Sequence, residues 1–374
     1  MNKLFRNRFI TYLGILIILT VSIFFLFELG HEDFEDFGIS VADAMSGDNN
    51  SNFTKADSVI DFVFPKDHGS HDNYKIEWWY FTGNLKDENG NHFGYQFTIF
   101  RNALSSDSMK SKNDFATNQL YFAHLGLTDV NNNKHYSFEK FSRGAKGLAF
   151  ANSNPLEIRV EDWYCKGFYY NDDFKNPEFK IYAKTDEIEI DFDLKPNKNI
   201  VFHGNKGLSA KSNEKGNASY YYSFTNLGSS GRIIINEKSH LVKGKSWMDR
   251  EWSTSALSKN QKGWDWFSLQ LDDNSELMFF RLRDTNSNTD FCKGTYIDKN
   301  GTYENLDCGK FDFQTKDYVK LDNGKKYPSK WKLLIPSKNL NIEAETQIDD
   351  QEMKLSVKYY EGTIKVKAKK MVLV

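Results

Sequence analysis

Short apolar runs alternate with turn residues from about residue 58 to the end of the chain. The runs are rich in Tyr, Phe, Trp, Ile and Val, and the turns between them include Asn89-Gly90 and Asn323-Gly324. Apolar runs bounded by Asn, Asp and Gly predict β-strands. No stretch of a dozen residues keeps a 3.6-residue period, so the pattern predicts an all-β chain with enough strands for two barrels or sandwiches.

Two of the predicted strands are apolar on both faces. Within residues 264–271 the two tryptophans point to one face, and Phe267 and Leu269 point to the other, because successive side chains of a strand alternate. Residues 276–283 repeat this pattern. Two interpretations stay open: a barrel wall with a lined interior and a covered exterior, or a sheet buried between two domains.

The N-terminus has the pattern of a targeting segment. Lys3, Arg6 and Arg8 precede an uncharged run over residues 9–27, which is long enough to cross a bilayer. The positive flank predicts that the remainder is exported, to the periplasmic or extracellular side of the cell envelope. An uncleaved anchor and a cleaved signal peptide both fit residues 1–28, so the protein is expected to be membrane-anchored or secreted.

The remaining chain divides into a linker and two β domains. Residues 29–57 are acidic and then rich in Ser, Asn and Asp, which is typical of a flexible tether. We place the first β domain at residues 58–235 and the second at residues 236–374.

Composition excludes several classes of function. The 374-residue chain has a formal net charge of −2, so no nucleic acid is expected as a partner. The histidine and cysteine spacings do not match a metal site, and no nucleophile elbow, P-loop or dinucleotide fingerprint is present, so we expect no metal and no cofactor. Cys292 and Cys308 flank a predicted hairpin, where a disulfide and two free thiols are both possible.

The first cluster of candidate site residues surrounds Glu77. This carboxylate stands among aromatic side chains, so it is either paired with a cation such as Arg101 or held with a raised pKa. The predicted ligand-binding residues of this cluster are Glu77, Trp78, Trp79, Tyr80 and His124.

The second cluster is a dense group of tryptophans with charges between them, over residues 247–252 and 264–266. Indole faces attract cations and stack on planar or polyene ligands, and carboxylates beside them can protonate a substrate or activate water. A charged network that closes one end of a barrel is the alternative. The catalytic candidates are Asp249, Arg250, Glu251 and Trp252, and the ligand-binding candidates are Trp247, Trp264, Asp265, Trp266 and Arg281.

These strings resemble those of the AttH-like proteins, a family that groups predicted secreted hydrolases with bacterial carotenoid 1,2-hydratases. The matching strings, in family order, are EWWY at 77–80, GNL at 83–85, FGYQ at 93–96, FR at 100–101, AHLGLTD at 123–129, HG at 203–204, YYYS at 220–223, WMDREWS at 247–253 and GWDW at 263–266. The resemblance implies two tandem lipocalin-like β-barrel domains with a ligand cavity. It also implies export.

The resemblance is incomplete at the second cluster. In the hydratases this cluster contains Asp-His-Asn-Trp; Asp249 and Trp252 match it, whereas Arg250 and Glu251 replace the His and the Asn. Arginine stays protonated near neutral pH, so a catalytic acid is expected at Asp249 or Glu251.

Three functions follow from these patterns. The first is a hydratase or related lyase that acts on a hydrophobic, isoprenoid or lipid molecule, with Trp264 and Trp266 stabilising a cation. The second is a non-catalytic carrier, in which Arg250 would pair with an anionic head group. The third is a hydrolase, as the family label suggests. The expected partners are therefore a hydrophobic small molecule and, through the N-terminal segment, a membrane; a monomer is expected.

Overall fold

The computed structural model describes residues 39–40, 52–106, 116–255, 257–258, 261–286 and 288–370. The predicted signal segment at residues 1–28 lies outside this range, as does most of the predicted linker. Among the described residues, no helix has the length and apolarity needed to cross a membrane.

Within the described residues, the regular structure consists of β-strands and three short 3-10 helices, which confirms the all-β prediction. The 3-10 helices are Lys66–His68, Cys308–Lys310 and Pro336–Lys338. The strands are β1 Ile39–Ser40, β2 Ile76–Asp87, β3 His92–Ala103, β4 Gln119–Asp129, β5 Lys134–Arg143, β6 Ala149–Ser153, β7 Leu156–Val160, β8 Trp163–Phe168, β9 Glu178–Lys184, β10 Ile188–Pro196, β11 Val201–Phe202, β12 Leu208–Ala210, β13 Ala218–Ile235, β14 Lys238–Ser253, β15 Gln261–Gln270, β16 Glu276–Asp284, β17 Thr289–Ile297, β18 Tyr303–Asp307, β19 Asp312–Lys320, β20 Lys326–Ile335, β21 Leu340–Thr346, β22 Glu352–Met353, β23 Val357–Tyr360 and β24 Ile364–Lys370.

A 13-stranded sheet, called here the large sheet, forms most of the structure. Its strand order is β5-β4-β3-β2-β14-β13-β10-β9-β8-β7-β6, and β11 and β12 also pair with β13. Strands β4 and β5 at one end come close to β6 and β7 at the other, so the sheet curls into a nearly closed barrel. The aromatic and aliphatic side chains on its inner face form the largest core of the protein.

The other strands of the described residues form a three-stranded sheet, in the order β1-β23-β22, and two four-stranded sheets, in the orders β15-β16-β17-β18 and β19-β20-β21-β24. Phe267, Phe279 and Trp331 pack between the two four-stranded sheets. The opposite face of the first four-stranded sheet packs Met278 and Phe280 against residues of the large sheet. Strands β15 and β16 are therefore apolar on both faces because their sheet lies between two other sheets.

The predicted domain boundary falls in the turn of the β13–β14 hairpin. Both strands of this hairpin belong to the large sheet, and β14 also pairs with β2. The division at residues 235 and 236 stays a prediction, because strand pairing alone does not define a domain. In the hairpin of β17 and β18, Cys292 and Cys308 form a disulfide with their Cα atoms 5.2 Å apart, and Cys165 is a buried free thiol.

Candidate functional site

A cavity of about 560 Å³ lies against the outer face of the large sheet. Side chains of β2, β3, β4 and β14 form one wall, and β15, β16 and residues 357–364 cover it. A cavity of this size is typical of small-molecule sites. Among the predicted site residues, those that line it are Glu77, Trp78, Tyr80, His124, Trp247, Asp249, Glu251, Trp264, Asp265 and Trp266.

Strand alternation divides the second cluster between the two faces of β14. Asp249 lies opposite Tyr80 on β2, and both side chains face the cavity. Arg250 and Trp252 point the other way, into the barrel, as consecutive residues of a strand must. The four predicted catalytic residues therefore form two separate pairs, and only Asp249 and Glu251 reach the cavity.

Asp249 is a buried carboxyl group with three hydrogen-bond donors. The indole Nε1 of Trp247 lies 2.6 Å from Oδ1, the Tyr221 hydroxyl lies 2.8 Å from Oδ2, and the Ser223 hydroxyl also donates to Oδ1. Burial nevertheless dominates and raises the pKa of Asp249 from 3.8 to about 7. Near neutral pH this group can both hold and release a proton.

A buried hydrogen-bond chain leads away from Asp249. The Ser223 hydroxyl lies 2.7 Å from Nε2 of His203, and Nδ1 of His203 lies 2.8 Å from the hydroxyl of Thr295. Burial lowers the pKa of His203 to about 3, so its ring is neutral. This chain fixes Ser223, and through it the orientation of the Asp249 carboxyl group.

Glu251 is held by a cation. Nζ of Lys211 lies 2.7 Å from Oε1 of Glu251, and the Ser219 hydroxyl donates to the same oxygen. Since its charge is compensated, Glu251 is less suited than Asp249 to deliver a proton to an apolar ligand.

A further carboxyl group, Glu361, lies in the cavity lining. It belongs to residues 357–364, called here the covering segment. The Tyr80 hydroxyl donates to Glu361 over 2.8 Å. Burial raises the pKa of Glu361 from 4.5 to about 7. Tyr80 thus stands between two carboxyl groups that change protonation near neutral pH.

Aromatic rings line the space beside these acids. The ring of Trp266 meets those of Tyr80 and Trp247 edge to face, at centroid distances of 5.2 and 6.4 Å, and its Nε1 lies 3.2 Å from the Tyr221 hydroxyl. Trp78 and Trp264 also border the cavity. The rings present π surfaces that attract a cation or stack on an unsaturated chain.

Glu77 anchors a buried ion network at the end of the barrel. Its carboxylate pairs with Arg101 and Arg250 and accepts from the backbone N–H of His71. Burial alone would raise the pKa of Glu77, but the two guanidinium groups hold it well below its usual value. Glu77 borders the cavity, yet both of its carboxylate oxygens pair with arginine side chains. Of the two alternatives that the sequence left open, pairing with a cation is therefore the one observed.

The residues that share this network are buried in the barrel. The Arg250 guanidinium lies 4.0 Å from the ring centroid of Trp79, and Trp252 stacks on His71 at 3.9 Å. Nε1 of Trp79 donates to the carbonyl of His68 over 2.8 Å. Trp79, Arg250 and Trp252 therefore support the sheet from behind the cavity wall.

Of the remaining predicted residues, Asp265 and His124 line the cavity and Arg281 does not. Asp265 pairs with Arg281, which donates to Thr315 and covers the ring of Phe313, so Arg281 faces the second four-stranded sheet. His124 lines the cavity on β4, with Nδ1 2.9 Å from the Tyr359 hydroxyl.

Sequence reasoning missed Tyr221, Ser223 and Glu361 as site residues. Ser223 ends the run of tyrosines on β13, and a polar residue at a buried position of an aromatic strand is a usable signal. Glu361 carries no local signal, because only tertiary contact brings it to Tyr80.

Comparison with known proteins gives one matching family model and two similar crystal structures. A family model described as AttH-like matches residues 55–372. A crystal structure from Nitrosomonas europaea that carries the AttH description is similar, with a TM-score of 0.75 and 27% identity over 85% of this chain and 96% of that one. Kievitone hydratase from Nectria haematococca has a similar fold, with a TM-score of 0.61 and 16% identity over 87% of this chain and 93% of that one. The curated proteins give no significant match.

Proposed function

The chain belongs to the AttH-like family, and on this premise we propose that it binds an unsaturated, mostly apolar small molecule and adds water to it. The proposed acid is Asp249. The observation that carries the proposal is a buried carboxyl group, with a pKa raised to about 7, that faces a cavity walled by indole rings.

The chemistry needs an acid, a surface that tolerates positive charge, and water. The Asp249 proton adds to one alkene carbon, and the π electrons form the new C–H bond and leave a carbocation on the other carbon. The faces of Trp247 and Trp266 stabilise that cation. A water oxygen then bonds to the cation, and the proton it releases restores the acid form of Asp249.

Hydrogen bonding prepares Asp249 for both halves of this cycle. Trp247, Tyr221 and Ser223 supply donors that stabilise the carboxylate after the proton has left. The buried surroundings favour the neutral acid before transfer, so the two forms lie close in free energy near neutral pH.

The carrier hypothesis assigned the binding of an anionic head group to Arg250. It required Arg250 in the cavity, but the guanidinium of Arg250 is buried against Glu77 and Trp79 in the barrel. Export and membrane attachment through residues 1–28 remain part of the proposal.

Isotope incorporation tests the proposed function. The purified chain is incubated in H2¹⁸O with a panel of isoprenoid alkenes and alkenols, and products are analysed by mass spectrometry. We expect ¹⁸O in a hydrated product, and we expect Asp249→Asn to lower its rate by about 100-fold or more, the usual contribution of a general acid.

Glu251→Gln is the matched control, because Glu251 faces the same cavity from the same strand but is paired with Lys211. We expect the folded fraction of this variant to retain most of the turnover, because the Gln amide oxygen can still accept from Lys211 and Ser219. Turnover that survives in both variants would show that neither carboxyl group is the acid.

A further inference from the structure

A row of directly opposed residues crosses the cavity wall. Asp249 on β14 lies opposite Tyr80 on β2, Tyr80 opposite Thr98 on β3, and Thr98 opposite His124 on β4. Neighbouring strands are about 4.8 Å apart, so Asp249 and His124 stand roughly 14 Å apart along this row. All four residues line the cavity.

The His124 end of the row has polar atoms without a partner. His124 and Gln96 are 1% and 3% exposed, and both line the cavity. Nδ1 of His124 meets the Tyr359 hydroxyl, and the Gln96 amide group donates to Thr98. Among the described residues, Nε2 of His124 and Oε1 of Gln96 find no hydrogen-bond partner.

Buried polar atoms that stay unpaired are costly, so this pair favours a ligand that can satisfy both. Oε1 of Gln96 needs a donor, and Nε2 of His124 donates when Tyr359 donates to Nδ1. A hydroxyl group does both, since it can donate to Gln96 and accept from His124. An ether can only accept, and a hydrocarbon does neither.

The absence of charge on His124 and Gln96 also favours a hydroxyl group at this end of the cavity. Burial lowers the pKa of His124 to about 4, so its ring is neutral near pH 7. The amide of Gln96 is uncharged as well. A neutral polar group therefore suits this end of the cavity better than an anionic one, whose burial needs a cation.

We propose that Gln96 and His124 form a hydroxyl-binding subsite, and that the ligand is an elongated unsaturated alcohol. Its hydroxyl group sits at His124, its chain follows the row past Tyr80, and its far double bond reaches Asp249. The position of the double bond rests on the proposed function, whereas the subsite itself is tested by binding alone.

Three probes that differ in one group test the subsite: farnesol, farnesyl methyl ether and farnesene. Their dissociation constants are measured on the full chain by quenching of tryptophan fluorescence. We expect farnesol to bind at least about ten-fold more tightly than farnesene, with the ether between them, because two otherwise unpaired atoms gain a partner.

Gln96→Met and His124→Phe each replace a polar side chain of the subsite with an apolar one of similar shape, so Oε1 of Gln96 or Nε2 of His124 is lost together with the other polar atom of that side chain. We expect each to reduce the preference for farnesol to about three-fold or less, mainly by weakening farnesol binding. Since the readout is a ratio within one protein, a general loss of folding cannot imitate it. Leu282→Met, in the part of the cavity lining that β16 supplies, is the control and should leave the ratio unchanged.

The outcomes separate the two proposals. Binding of all three probes without a preference, or a preference that both variants keep, would overturn the subsite and leave the proposed function standing. Failure of every probe to bind the wild-type chain would overturn both. Loss of the preference in the two variants with retention in Leu282→Met supports the subsite.

Discussion

Asp249 and Arg250 are adjacent in the chain and have opposite electrostatic surroundings. Asp249 accepts hydrogen bonds from neutral donors, and its burial raises its pKa. Arg250 meets a carboxylate and two indole rings. The 180° alternation of a strand is enough to place one residue at the chemistry and the other in the core.

The pKa of Asp249 predicts a specific dependence of stability on pH. The unfolded chain releases this proton near pH 3.8 and the folded chain near 7, so the folded state binds the proton more tightly. Between these values the free energy of unfolding falls as pH rises. Asp249→Asn lacks this titration, so its free energy of unfolding relative to wild type should rise by about 1–4 kcal/mol from pH 4.5 to pH 8.

Urea unfolding at the two pH values measures this difference. Glu361 titrates over the same range in both proteins, so its contribution cancels. Arg250→Met is the neighbouring control: it leaves the buried Glu77 with one cation fewer and should destabilise by about 3 kcal/mol or more near neutral pH. An Asp249→Asn difference that is equal at pH 4.5 and pH 8 would contradict the assigned pKa.

At the scale of elements, glycines set how closely the strands and the covering segment approach. A Cβ atom on Gly83 would collide with Tyr95 and Ser246, at the seam of β2 and β14 that carries Tyr80 and Asp249. A Cβ atom on Gly94 would come within 2.5 Å of the Thr363 side chain. The absence of a side chain at Gly83 lets β2 and β14 pack closely at the cavity wall. The absence of a side chain at Gly94 lets Thr363 pack against the sheet, which places Glu361 in the cavity.

Gly94→Ala should therefore displace the covering segment. The new methyl group pushes Thr363 away from the sheet and disturbs its hydrogen bond to Asn84, so Glu361 loses its place beside Tyr80. We expect farnesol binding to weaken about three- to ten-fold, with a loss of about 1–3 kcal/mol in the free energy of unfolding. Gly309→Ala, where a Cβ atom meets nothing within 4 Å, should change neither quantity. Unchanged farnesol affinity in Gly94→Ala would show that this contact does not position the segment.

The elements were predictable where local pattern decides them. The alternation of Trp264 and Trp266 with Phe267 and Leu269 gave both faces of β15 correctly, and the turn at residues 298–301 joins β17 to β18. The pairing of β14 with β2 lies beyond local pattern, because these strands are far apart in the chain. Register between distant strands follows from the packing of the whole sheet.

At the scale of the whole molecule, the cavity belongs to no single sheet. Tyr80 and Asp249 come from the large sheet, Trp266 from the next sheet, and Glu361 from the covering segment. The sequence supported a tryptophan-lined hollow with Asp249 in it. Glu361 and Gln96 could not be predicted as site residues from the sequence, because they reach the cavity only through the way the sheets pack together.

One buried ion pair joins the large-sheet side to β16. Nζ of Lys198 lies 2.6 Å from Oε2 of Glu276 and 2.8 Å from the carbonyl of Asp298, and Asn226 donates to the other Glu276 oxygen over 2.7 Å. The side chains of Lys198 and Glu276 are 8% and 0% exposed, so loss of one charge strands the other away from water.

Lys198→Met should loosen the docking of β16 and, with it, the cavity. We expect a loss of about 3 kcal/mol in the free energy of unfolding and weaker farnesol binding, because Trp266 on the paired strand β15 shifts with β16. Lys198→Met/Glu276→Gln should recover much of the stability, since no unpaired charge remains. Lys293→Met, which breaks an exposed pair with Asp307, should cost less than about 1 kcal/mol. If Lys198→Met and Lys293→Met cost the same, the buried pair does not hold the sheets together, and the cavity must depend on apolar packing alone.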